Sequence, residues 1–250
     1  KVANDYLWQA SALHSRGESH RRIAETLYGP GRFKAYHEYE ARAHDDFQQC
    51  IVICNQYNFD GELSTAVRRM GRLLHDQALR ETDIKKRLDL LGQARDHFEQ
   101  GLDAAKRSEN TLEEFENLTE LAFLVDDRLQ AQKQLSNEDI LSPEQIQDGD
   151  RDIEHLRTYI KQSTKAKFKI YQFQVFVHFL EMEEGAFCFV QRDYKNALKF
   201  YLDGYKGLAG LPGYGVARYR QHLGHLFKRI RELDNPDEER RWCQAFIRAW

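Results

Sequence analysis

Apolar residues recur along most of this chain at three- and four-residue steps, the spacing that lines one face of a helix. The pattern predicts helices over 4–28, 33–57, 62–80, 84–107, 110–135, 144–162, 164–191, 194–208, 214–233 and 237–250. The breaks between them carry turn chemistry. Gly29-Pro30-Gly31 and Leu211-Pro212-Gly213 interrupt long periodic segments. Ser142-Pro143-Glu144-Gln145 has a cap, a first-turn proline and a capping-box glutamine, and Asn235-Pro236 repeats that logic. Thr111 with Glu114 reads as another capping box, and Asp83 and Asp193 stand where caps are expected. Connections of about 2–8 residues make sequential helices antiparallel neighbours. Residues 136–143 form the least defined connection. Tyr171 to Phe179 alternates apolar and polar positions as a strand does, yet Ile170, Phe173, Val177 and Leu180 also share a helix face. No second strand is available to pair with it, so helix is the expectation, with strand left open.

Beneath this period lies an internal repeat. Three predicted second helices carry an alanine, an aromatic or phenylalanine four residues on, and a small residue three further: Ala43, Phe47, Cys50; Ala94, Phe98, Gly101; Ala197, Tyr201, Gly204. Steps of four and seven fall on one face. Predicted first helices centre on a small residue: Gly71 within Val67, Met70 and Leu74; Ala122 within Leu118, Leu121 and Val125; Gly185 before Cys188; Gly224 within Leu223 and Phe227. A glycine inside a helix costs about 1 kcal/mol against alanine, so its recurrence at equivalent places points to close helix approach.

With these residues the chain resembles the tetratricopeptide repeat family, whose units have a small residue in the first helix and an alanine–aromatic–small series in the second. Residues 178–211 fit best: Gly185, Ala197, Tyr201 and Gly204 take the family positions at the family spacing, although Glu181 stands where the early tryptophan belongs. Elsewhere the pair starts, near 4, 64, 115, 178 and 217, are separated by 60, 51, 63 and 39 residues rather than the family's roughly 34. The resemblance implies an all-α fold, a single α-solenoid domain over 1–250 built from irregular antiparallel helix pairs in a right-handed superhelix. Its looser repeats lie in 1–160 and a final pair in 214–250. A non-repetitive helical bundle is the alternative.

The resemblance also implies a non-catalytic module that binds a protein or peptide, or senses a ligand, along the face lined by the first helices. By register that face holds Arg68, Arg72 and His75; then Glu116, Thr119, Phe123 and Asp126; then Arg218, Gln221, His225, Lys228 and Arg229. Charge sharpens this. The net −3 conceals a split: residues 1–160 hold 21 Lys+Arg against 30 Asp+Glu, and 161–250 hold 16 against 10. An acidic partner at the basic C-terminal end is therefore expected, since guanidiniums favour bidentate contacts with carboxylate or phosphate. The chain opens without an initiator Met and stops at Trp250, which reads as a piece of a longer protein. Divergent solenoids of this kind resemble sensor arms of bacterial signal-transduction NTPases, which implies a linked NTPase or effector domain.

Other chemistries find less support. Lys161, Lys165, Lys167 and Lys169 raise nucleic-acid contact through the basic third, but a pI near 6.4 argues against a dedicated binder. His44-Asp45 together with His75-Asp76 and Asp126 or Asp127 suggests an all-helical metal-dependent phosphohydrolase of HD type, the alternative enzyme reading; it lacks an accompanying signature. Asp148 to Asp152 resembles a calcium loop but has Ile153 and Tyr159 where the sixth-position glycine and twelfth-position acid belong. His222 and His225 could share a metal only with a third ligand. Cys50, Cys54, Cys188 and Cys243 are too sparse for a disulfide framework, which points to a cytoplasmic protein; Cys50 and Cys54 read as small buried helix residues. No cofactor is expected, and no apolar run reaches the length of a membrane span.

Overall fold

A computed structural model describes residues 2–29, 32–136, 142–162, 171–211, 230–231, 233 and 235–249. The described residues are helical with short connections, and none of them lies in a strand. The helices are α1 (Val2–Leu27), α2 (Phe33–Tyr57), α3 (Asp60–Arg80), α4 (Ile84–Arg107), α5 (Thr111–Ser136), α6 (Pro143–Gln162), α7 (Tyr171–Val190), α8 (Tyr194–Gly210) and α9 (Pro236–Ala249). Tyr171 to Phe179 is helix throughout: Val175, Phe176 and Phe179 are buried in a helix that packs along its neighbour, and no described residue offers a strand to pair with. The expected 214–233 helix, and with it Gly224, lies outside the described residues apart from Ile230, Arg231 and Leu233.

Cap residues set the helix starts. The Ser142 backbone N–H donates to Gln145 Oε1 at 2.8 Å, and the Gln145 N–H returns to Ser142 Oγ at 3.3 Å, the reciprocal box expected from the sequence. Asp83 accepts from the Lys85 and Lys86 amides, Asp193 from Asn196, and Asn235 from Asp237 and Glu238. One expectation is corrected. The cap of α5 is Asn110, whose Oδ1 accepts from the Glu113 amide at 3.2 Å, while Thr111 is already helical. Asn competes for the cap at least as well as Thr, and here it stands one residue earlier.

The chain divides into two compact units, Lys1–Asn137 and Glu138–Trp250. In the first, α1 packs along α2, α3 along α4, and α5 onto α4. Helix α3 also touches α1 and α5, so the first helices form one layer. In the second, α7 packs along α8, α6 contacts α7, and α9 lies on α8. Trp242 of α9 is fully buried, with its ring edge-on to Phe189 and Tyr201 at centroid distances of 5.7 and 5.9 Å.

The repeat signature sits at the crossing point of each pair. A Cβ on Gly71 would stand 2.7 Å from Phe98 Cε1 and 3.1 Å from the Ala94 carbonyl oxygen. On Gly185 it would stand 3.0 Å from Tyr201 and 3.2 Å from the Ala197 oxygen. Gly17, which sequence reading passed over, meets Phe47 at 2.7 Å in the same way. Ala43, Ala94, Ala122, Ala197, Phe47 and Phe98 are completely buried, and Cys50 with them. Each pair thus crosses where a glycine admits an aromatic ring. Gly17 and Phe47 are 30 residues apart, Gly71 and Phe98 27, Gly185 and Tyr201 16. Helices α1 to α4 extend further beyond the crossing, which accounts for the spacings of 60 and 51 between the first pair starts.

The third signature position also receives a neighbour. Asn117 of α5 presses on the α-carbon of Gly101, and Ser64 Oγ donates to the Gly101 carbonyl at 2.8 Å, so α3, α4 and α5 converge there. Gly204 faces the backbone oxygen of His178 and the side chain of Met182. Cys50 Sγ donates to the Ala10 carbonyl at 3.2 Å. No described helix is long and apolar enough to cross a membrane.

Candidate functional site

The charged stripe expected on α3 lies between α1 and α5, and both neighbours supply partners for it. Toward α5, Arg68 donates from Nε and Nη2 to Glu113 at 2.8 and 3.0 Å, with Glu116 at 3.5 Å. Arg72 stands 3.6 Å from Glu120, and His75 Nε2 lies 2.7 Å from Asp127 Oδ2. Toward α1, Asp76 accepts from Arg21 at 3.0 Å, Glu62 faces His14 at 3.3 Å, and Arg69 stands 3.6 Å from Glu18. These α1 positions, His14, Glu18 and Arg21, follow steps of four and three along one helix face, which is why a single stripe can serve α3.

Of the expected binding residues, Arg68 is buried and held by Glu113, so it is no open groove position. The spacing put it on the α3 stripe. It could not show that α5 sits close enough to cover it. His75 is buried too. Arg72, Glu116 and Thr119 are partly exposed, as is Phe123; the Asp126 side chain lies outside the described residues. Arg218, Gln221, His225, Lys228 and Arg229 also lie outside them, as do His222, Lys165, Lys167, Lys169 and the Lys161 side chain. Residues that sequence reading missed are Glu18, Arg21, Arg69, Glu113 and Glu120. Their signal was present as oppositely charged stripes at helical steps on neighbouring helices, but which stripes meet is a matter of packing.

The electrostatics follow from these contacts. Burial works against the Arg68 charge, but the hydrogen bonds and charge of Glu113, with Glu116 and Glu120 nearby, outweigh it and raise its pKa. Burial alone would raise the Glu18 pKa. Hydrogen bonds from Arg21 and Arg22, and the charges of Arg21 and Arg69, hold it down to about 2. Arg69 is the exception: burial, then the adjacent charges of Arg68, Arg72 and Arg21, lower its pKa despite Glu18. Its Nε is closed off from water with no hydrogen-bond partner, a condition that costs about 1–3 kcal/mol.

Of the residues suggested for a phosphohydrolase, the structure brings together His75 with Asp127 and His44 with Asp45, and the two pairs do not share a partner. His44 lies 3.7 Å from Asp45 at the surface, His75 pairs with Asp127, and Asp76 serves Arg21. No group of three or more His, Cys, Asp or Glu among the described residues is arranged to hold a metal. Asp148 to Asp152 is part of helix α6, so it forms no loop. Cys50 and Cys54 are buried, with their sulfurs 3.9 Å apart; hydrogen bonding to Cys54, then burial, pushes the Cys50 thiol up.

No family model, no curated protein and no solved structure matches this chain. The class that the fold defines is an all-α protein of adjacent helix pairs, compatible with a helical repeat.

Proposed function

We propose that this chain is a tetratricopeptide-like binding scaffold whose helix pairs wind as a right-handed superhelix, and that the α1–α3–α5 layer takes a protein or peptide. The observation that carries the reading is the repeated crossing, Gly17 on Phe47, Gly71 on Phe98 and Gly185 on Tyr201. Such repetition builds extended surfaces from the first helices, and solenoids use those surfaces for binding. The partly exposed positions of the layer include Arg72, Glu116, Thr119 and Phe123, three polar residues and an aromatic. The module recruits or regulates a partner or a linked domain, an NTPase or effector being the kind expected from the resemblance.

Selection of a peptide library on the immobilised chain tests the reading. Binding peptides are expected to lose affinity with Phe123→Ala or Arg72→Glu and to keep it with Lys85→Glu on α4. Peptides unaffected by the first two changes, or no selected peptide at all, would refute it.

A further inference from the structure

Helix α1 presents to solvent a stripe unlike that of α4. Its exposed positions at steps of four, three, four and four are Trp8, Ala12, Ser15, Ser19 and Ile23, and none of them carries a charge. The corresponding stripe of α4 is Lys85, Asp89, Gln93, Asp96, Gln100 and Asp103, the polar composition of a face that meets water. Trp8 is 76% exposed, more than any other large apolar residue among those described. Within the unit, small residues receive aromatic rings, as Gly17 does Phe47 and Gly71 does Phe98. On the outer face of α1 both halves of such a contact stand exposed: a large ring at Trp8, and small residues two and three turns further on at Ser15 and Ser19.

We propose that two copies of the chain pair through this face, with their α1 helices antiparallel about a two-fold axis passing between residues 13 and 14. Trp8 then faces Ser19 of the second copy, and Ala12 faces its Ser15. An indole lies on a small residue at each end, and small residues meet in the middle, where the helices approach closely. The symmetry repeats each contact, so one helix supplies both the ring and its socket. A partner of different sequence would need the same two features in the same order; a second copy has them without further assumption. Charge selects the direction. Asp5 and Arg22 are exposed beside opposite ends of the stripe. The antiparallel order brings the acidic end of one helix to the basic end of the other, whereas the parallel order sets like against like. The 26 residues of α1 run about 39 Å, and a face about 10 Å wide offers roughly 400 Å² per copy, about half of what a standard interface buries. The dimer is therefore weak and reversible, with the Trp8 indoles as its main anchors.

Sedimentation velocity of the whole chain between about 1 and 200 μM is expected to show a monomer–dimer equilibrium with a dissociation constant in the micromolar range. Trp8→Ala and Ser19→Glu should each weaken it about tenfold or more, and Gln93→Ala on the α4 stripe should leave it unchanged. Trp8 and Ser19 are exposed, so neither change threatens the fold. Crosslinking with a short bismaleimide reads the helix order. Ser15→Cys places a thiol near the two-fold axis and should link the two copies beyond whatever the unaltered chain gives. Asn4→Cys places it about 28 Å along the helices from its counterpart and should not. A chain that stays monomeric over the whole range overturns the proposal and leaves the face to a different protein or a neighbouring domain. A dimer that survives Trp8→Ala overturns it by placing the contact elsewhere, and equal crosslinking from positions 4 and 15 overturns it in favour of a parallel pair. These measurements use no peptide, so their failure leaves the scaffold reading standing, and failure of the peptide selection leaves the dimer standing.

Discussion

The ring of Phe98 lies directly over the α-carbon of Gly71, where any Cβ would fall 2.7 Å from Cε1. Phe98 is completely buried. Two helices are held at this distance by one hydrogen atom in place of a side chain.

Gly71→Ala is therefore expected to lose about 1–3 kcal/mol through overpacking, against the roughly 1 kcal/mol that alanine ordinarily gains in a helix. Gly185→Ala, with its nearest contact at 3.0 Å, should lose less. Gly92 in α4 has nothing within 4 Å of its Cβ position, so Gly92→Ala should gain about 0.5–1 kcal/mol. Urea unfolding of the three variants gives the ranking.

Arg68 and Glu113 test what a buried ion pair contributes. Glu113→Gln strands a buried guanidinium and should cost about 3–5 kcal/mol. Replacing both, Arg68→Met with Glu113→Leu, should cost much less than the single change. A double-mutant cycle by chemical denaturation reads the coupling, and additive losses would contradict it.

Glu18 gives the acid side of stability a definite sign. Its carboxyl is held down to about 2 in the folded chain, against an ordinary 4.5. Between those values the unfolded chain binds the proton and the folded chain does not, so stability rises with pH across that window and falls as pH drops through it. Glu18→Gln should flatten the pH dependence of the melting temperature between about pH 4.5 and 2. The same slope in variant and parent would be inconsistent with the arginine cluster holding this proton off.

Thiol labelling should distinguish the four cysteines. Cys50 and Cys54 are buried; burial, with Asp193 and Glu184 nearby, pushes Cys188 up to about 11. Cys243 is partly exposed. In the folded chain at pH 8, Cys243 should react first, and all four should react in denaturant, because the thiolate is the reactive form. Mass spectrometry after brief alkylation identifies the labelled site.

Trp242 should report on the second unit. It is fully buried against Phe189 and Tyr201, whereas Trp8 is 76% exposed. With Trp8 and Trp250 changed to Phe, the remaining emission should be blue-shifted and resist acrylamide. Trp242→Ala should destabilise that unit by about 3–5 kcal/mol.

Much of the fold was legible because helix signals are local. Ser142 with Gln145, Asp83, Asp193 and Asn235 are read off a few adjacent residues, and each caps as expected. Thr111 misled only because Asn110 beside it is an equal or better cap. The face residues were harder. Arg68, Arg72 and His75 were placed on one stripe from spacing alone, but spacing is blind to the carboxylates of Glu113, Glu120 and Asp127, some 45 to 52 positions away.

The sequence by itself determined that the chain is helical, where the helices start, and which residues recur as small–aromatic sets, since these depend on propensity, period and caps within single elements. Only the tertiary structure decided which glycine meets which ring, that Gly17 belongs with Gly71 and Gly185, and that Arg68 is held by Glu113 while Arg69 Nε is buried without a hydrogen-bond partner. Those relations arise from the distance between helix axes. A small residue permits a close approach, but the packing of both partners sets it.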